Sequence, residues 1–288
     1  MSVGADKTVS MTDAAIRYGA VLPGGTAPEQ LEQAELAERA GWDGVFSWET
    51  GYGVDPWTLL AAIAARTSRV KLGTILTPLP FRRPWKLASQ LATLDQLSGG
   101  RAIVAVGLGA LGAELPDTGE ETDLKTRAAR LDEGIDLIQT LWRGGDRYDG
   151  EHYHYRAGTF ELAAMVRPVQ QPIPIWVAAR WPRPKSLRRA LRCQGILPEF
   201  VPEGREQQPD DVRALRAWLA EHEAPAGLDV VVDGESAAGD PAAAAAQVAA
   251  WADAGATWWV ESRWGMPDTQ AMRIKAMTER LAAGPPRS

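Results

Sequence analysis

Short apolar runs rich in branched residues alternate along this chain with longer stretches of helical periodicity, and that alternation constrains the fold more than any other feature. Strands are predicted near 18–22, 44–48, 70–76, 102–107, 174–179, 195–200, 228–233 and 257–262, with helices near 28–40, 55–67, 84–97, 122–142, 184–193, 209–223, 241–253 and 267–283. Strands that return after a helical crossover run parallel, so the series predicts stacked βαβ units. Eight of each predict an α/β chain folded as a (β/α)8 TIM barrel with insertions. A doubly wound open sheet is the competing architecture, because strand order is not written in the sequence.

Local punctuation supports these elements. Asp55-Pro56, Asp210 after Pro209, and Asp240-Pro241 place a capping carboxylate next to a proline at helix starts, while Gly41 and Gly255 suit helix ends. The rhythm breaks at 108–121, longer than the usual connection and of a length common in lids and binding segments. It breaks again at 144–173, where Tyr148 to Tyr155 suggest an extra hairpin. Residues 1–17 are expected to be a flexible leader, 18–283 a single barrel domain and 284–288 a tail. The leader lacks the apolar stretch of a signal peptide, and no window has 18 consecutive apolar residues.

The formal net charge of −6 argues against nucleic acid or an anionic membrane as partner. Cys193 is the only cysteine, which excludes an intrachain disulfide and fits a cytoplasmic protein. Three histidines offer little for a catalytic metal, and His152 and His154 read as structural.

Barrel enzymes carry their functional residues where strands end, on the C-terminal face. That rule nominates Trp48 and Trp264 for a substrate pocket, with Trp181 also at the mouth; an aromatic rim suits a flat, largely apolar ligand. Trp258 and Trp259 should point to opposite sides of their strand. Glu49 is the best-placed single acid and is expected to relay a proton. The glycines of 107–112 follow a strand but lack the helix and the distant acid of a dinucleotide fingerprint; they suit a close approach of backbone to a ring. Six cations fall within 180–192. Of these, Arg180 and Lys185 lie where a loop meets a helix start and are expected to hold a cofactor phosphate, whereas Arg188, Arg189 and Arg192 are expected on a solvated face.

Three longer stretches resemble the luciferase-like monooxygenase superfamily: Leu72-Gly-Thr-Ile-Leu-Thr-Pro78 leading to Arg83-Pro84, the segment from Leu94 through Ser98-Gly-Gly-Arg101 to Gly109, and the segment from Pro168 to Ala179. Arg127 to Glu133, Leu141-Trp142, Gly150 to Tyr153 and Ala254 to Trp259 follow the same pattern, so the resemblance runs from about 18 to 262. It implies an oxidoreductase using reduced F420 or FMN, held non-covalently across the barrel mouth, that acts on a small organic substrate by hydride transfer or monooxygenation. It further implies a non-prolyl cis peptide at Thr74-Ile75, ring contacts from Leu108 and Gly109, and contacts from Ala178, Ala179, Arg180 and Trp181 to the ribityl or phosphate end.

The chain departs from relatives at Glu49-Thr50, where they commonly have Asp-His, at Ala110 in place of a glutamate, and at Gln194 in place of an aspartate. Sugar-phosphate dehydrogenation is therefore disfavoured. The alternatives are an FMN-dependent two-component monooxygenase fed by a separate flavin or F420 reductase, and a cofactor-free barrel that only binds a metabolite. A homodimer is the expected assembly.

Overall fold

A computed structural model describes residues 15–111, 119–158, 167–200, 205–237, 239–263 and 269–287. Its strands are β1 (Arg17–Val21), β2 (Gly44–Ser47), β3 (Lys71–Pro78), β4 (Ala102–Gly107), β5 (Arg147–Asp149), β6 (His154–Arg156), β7 (Ile175–Trp181), β8 (Gly195–Phe200), β9 (Asp229–Gly234) and β10 (Trp258–Glu261). Its helices are α1 (Ala27–Arg39), α2 (Pro56–Arg66), α3 (Pro84–Ser98), α4 (Leu124–Trp142), α5 (Pro184–Ala190), α6 (Pro209–Glu221), α7 (Pro241–Asp253) and α8 (Gln270–Ala282).

Eight parallel strands close in the order β1-β10-β9-β8-β7-β4-β3-β2, which is the (β/α)8 barrel and excludes the open sheet. β5 and β6 form a separate antiparallel hairpin in the insertion where one was expected. The Glu133 carboxylate of α4 holds its turn by accepting the backbone N–H groups of Glu151, His152 and Tyr153 at 2.8, 2.9 and 3.0 Å.

Capping carboxylates of Asp55 and Asp240 accept the N–H of Thr58 and Ala243, as the sequence suggested. At α6 the cap is Gln208, one residue before Pro209, and Asp211 closes the reciprocal box; Asp210 is not the cap. A proline at the first helical position costs no hydrogen bond, which is why the helix starts there. Gly41 and Gly255 follow the ends of α1 and α7 at φ 93° and 105°, a region closed to most side chains.

Alternation along the strands sorts the core into two layers. Inside the barrel, Phe46, Trp176 and Trp258 pack with centroid separations of 5.3 to 6.0 Å, joined by Ile75, Ile103 and Val231. Outside, Leu72, Val104, Val177 and Trp259 meet the inner faces of the helices. Trp258 thus points in and Trp259 out, as expected. Arg17, inside the segment read as leader, is already the first residue of β1; its guanidinium pairs with Asp229 and lies 4.6 Å from the Trp258 ring centroid.

Arg101 shows why the Ser-Gly-Gly-Arg segment has the composition it does. Gly99 and Gly100 at φ 65° and 87° turn the chain sharply out of α3. The buried guanidinium that follows donates five hydrogen bonds, to Ser98 O, Thr67 Oγ1, Val70 O, Ala64 O and Thr67 O, at 2.7 to 3.0 Å. It thereby satisfies carbonyls at the ends of α2 and α3 that the helices leave unpaired.

Candidate functional site

The C-terminal mouth is built where β3, β4 and β7 end side by side. Register between β3 and β4 holds from Leu72 to Thr74, shifts, and resumes at Thr77. A non-prolyl cis peptide lies within that bulge, at Ile75-Leu76, one residue after the Thr74-Ile75 bond that the family resemblance implies. The correction follows from the pleat: Ile75 belongs to the interior cluster and Leu76 packs against the same cluster, so two consecutive residues face inward.

Leu76, Gly107 and Ala178 come together here. A Cβ on Gly107 would stand 2.8 Å from Leu76 Cδ2 and 3.1 Å from the Ala178 Cβ, so a side chain at this position would press on both and fill the apolar shelf they form. Ala179 is buried and faces the outer layer. Beyond the shelf, the carbonyls of Leu108 and Gly109 accept from Arg127 Nη1 at 3.2 and 3.1 Å, which ties the start of the long loop to α4.

The cations after β7 divide into two groups. Arg192 is exposed as expected, but Arg189 is buried; both bind Asp132 of α4 at 2.8 Å, with Arg192 also 2.6 Å from Asp136. Paired acids on a neighbouring helix were invisible from local composition. Arg180, Arg183, Lys185 and Arg188 remain exposed, without an ion-pair partner among the described residues.

Alternation relocates three expected site residues. Phe46 and Trp48 face the interior, so Glu49 faces the barrel–helix layer. There Arg82 Nη1 donates to Oε1 at 2.8 Å, while Thr77 Oγ1 and Trp57 Nε1 donate to Oε2 at 2.7 and 3.2 Å. Thr74, also turned to this layer, lies 3.0 Å from Thr77 Oγ1. Trp181 packs against the outer cluster and does not ring the mouth, because it stands an odd number of residues from the inward Trp176 and Ala178. Trp264 lies outside the described residues.

Trp48, nominated for a substrate pocket, stands beside a cavity. Its indole N–H donates to Leu22 O at 3.2 Å, and the residue lines a cavity of about 710 Å3 between the loop after β1, the loop after β2 and the start of α8. Tyr52, Val54, Ile274, Gln30 and Gln270 are among the other residues of its wall. Strand-end position singles out Trp48 alone; the other walls come from segments far apart along the chain, which local pattern does not bring together.

The sequence profile of the luciferase-like monooxygenases matches residues 9–283. The chain belongs to that family. Among its relatives, the F420-dependent glucose-6-phosphate dehydrogenase of Amycolatopsis mediterranei is 36% identical over 163 residues, 53% of this chain and 47% of that protein. The oxygenase component of a flavin-dependent trigonelline monooxygenase from Acinetobacter baylyi is 32% identical over 160 residues, 54% and 43% of the two chains. The match therefore spans about half the length of these luciferase-like relatives. A monooxygenase of Streptomyces bottropensis superposes with a TM-score of 0.71 at 24% identity, covering 93% of this chain and 98% of its own, a likeness of fold.

Proposed function

We propose that this luciferase-like protein is an oxidoreductase using reduced F420 or FMN, with the ring on the shelf of Ile75, Leu76, Gly107 and Ala178 and the phosphate end toward Arg180 and Lys185. The observation that carries the proposal is the pairing of an apolar shelf, where a Cβ on Gly107 would meet Leu76 and Ala178, with exposed cations that have no ion-pair partner among the described residues. These two features suit the two ends of a tricyclic phosphate-bearing cofactor. The bound group supplies the electrons, as hydride or for oxygen activation.

The chain supplies position and environment. Thr74 and Ile75 would present backbone to the ring, and Leu108 and Gly109, fixed by Arg127, would close its edge. A small organic substrate would occupy the cavity beside Trp48, with the indole as one wall. Glu49, through Thr77 and Thr74, positions the β3 bulge and does not itself meet substrate. With FMN, a separate reductase would return the cofactor to its reduced form, as the naming of the trigonelline enzyme as an oxygenase component suggests.

Titrating the protein with each cofactor, oxidised and reduced, tests the proposal through quenching of its twelve tryptophans. Micromolar binding of one cofactor, weakened by Arg180→Ala, is the expected result. A folded protein that binds neither would instead be a barrel that holds a metabolite without redox chemistry.

A further inference from the structure

A second cleft, of about 390 Å3, lies outside the barrel between α7, α8 and the C-terminal segment. Arg263, which follows the last barrel strand, and Arg280 of α8 both line it, and their side chains are only 9% and 10% exposed. Guanidinium groups withdrawn from water to that degree require partners for their N–H groups. Arg280 finds two, Ser236 Oγ at 2.8 Å and Gly284 O at 2.7 Å, but its Nη2 has none among the described residues. Arg263 Nε is likewise buried and has no hydrogen-bond partner among them.

Glu261 does not make up the deficit. This fully buried carboxylate accepts the Ser236 N–H and hydroxyl and the Trp259 indole N–H, and the two guanidiniums stand 3.5 and 3.7 Å from it. Glu235, 3.6 Å from Arg263, is well exposed and therefore screened. Asp240 is occupied in part by capping α7, and Glu279 faces solvent beside Lys275. The inner end of the cleft thus holds two buried cations against one buried carboxylate. Ala237, Gly239 and Asp240, which follow the seventh barrel strand, and Arg263, which follows the eighth, line the cleft, and residues after these two strands frequently serve phosphate in TIM barrels.

We propose that this cleft binds a phosphate-sized oxyanion, as inorganic phosphate or as the phosphoryl terminus of a small metabolite, held by Arg263 and Arg280 and separate from the cofactor phosphate near Arg180. Planar guanidinium groups match such an oxyanion through paired N–H donors.

Calorimetric titration of the full chain with inorganic phosphate, and in a second arm with glycerol phosphate, tests this. Saturable binding is expected, tighter for the ester if a metabolite is the natural occupant and equal if the free ion is. Ala276→Glu, which sets a carboxylate on the cleft wall, should weaken that binding at least about tenfold, the loss of one charge-assisted contact, and leave cofactor quenching unchanged. Arg280→Lys, which keeps the charge but not the fork, should weaken it severalfold, and Arg180→Ala should not affect it. Absence of saturable binding, or binding abolished by Arg180→Ala and untouched by Ala276→Glu and Arg280→Lys, would overturn the proposal.

Discussion

The Thr77 hydroxyl donates its one proton to Glu49 Oε2 at 2.7 Å, so across the 3.0 Å between Thr77 and Thr74 it is Thr74 that donates. Proton directions along the β3 bulge are thereby fixed from the carboxylate outward. Arg82, donating to the other oxygen of Glu49 and to Gln90 at 2.6 Å, ties the same network to α3.

Glu49→Gln keeps the shape of the side chain but turns one acceptor oxygen into a donor facing either Arg82 or the Thr77–Trp57 pair. We expect a stability loss of about 2–3 kcal/mol in denaturant unfolding, weaker cofactor binding, and a pH profile of turnover that does not move. A profile that loses one limb would instead make Glu49 the proton relay its place after β2 first suggested.

Gly73→Ala meets a harder obstacle. The added Cβ would lie 1.8 Å from Ile103 O in the neighbouring strand, and backbone cannot yield as a side chain can. A loss of more than about 3 kcal/mol, or failure to accumulate as soluble protein, is expected; a near-native melting temperature would contradict the strand packing described.

Removing the Arg101 guanidinium in Arg101→Met would leave four backbone carbonyls and the Thr67 hydroxyl without it. About 3–5 kcal/mol is expected in equilibrium unfolding. Arg192→Ala, whose partners are exposed, should cost under about 1 kcal/mol.

These contrasts show what could be read along the chain. The barrel was legible because each strand and helix carries its own periodicity, and the Trp258–Trp259 pair because pleat alternation needs no tertiary knowledge. The direction of Glu49 follows from the same parity, counted from Phe46 and Trp48, whereas its place at a strand end alone points to the mouth. The partners of Arg189 and Arg192 could not be found that way, since Asp132 and Asp136 lie on a helix more than fifty residues earlier, nor could the cavity beside Trp48.

Acid should destabilise the fold through Asp211. Its hydrogen bond from Arg205 holds the carboxyl below the usual carboxylate range, so the stabilisation is complete above the unfolded value of about 3.9 and is lost as pH falls through the lower folded value. Asp211→Asn should flatten the acid limb of a pH–stability curve; an unchanged limb would remove this group from the account.

Cys193 offers an internal reporter. Burial pushes its thiol up to about 12, so hardly any thiolate exists at pH 8. The native protein should react with a thiol reagent only as fast as it unfolds, and rapid stoichiometric labelling without denaturant would contradict the packing of α5 on β7 and β8.

The most direct measurement is the cofactor titration of the wild type beside Gly107→Val. Valine would project into Leu76 and Ala178 and obstruct the shelf. Micromolar binding of F420 or FMN to the wild type, lost at least about tenfold in a folded Gly107→Val, is the predicted result; equal binding by both proteins, or none by the wild type, would contradict placement of the cofactor ring on that shelf.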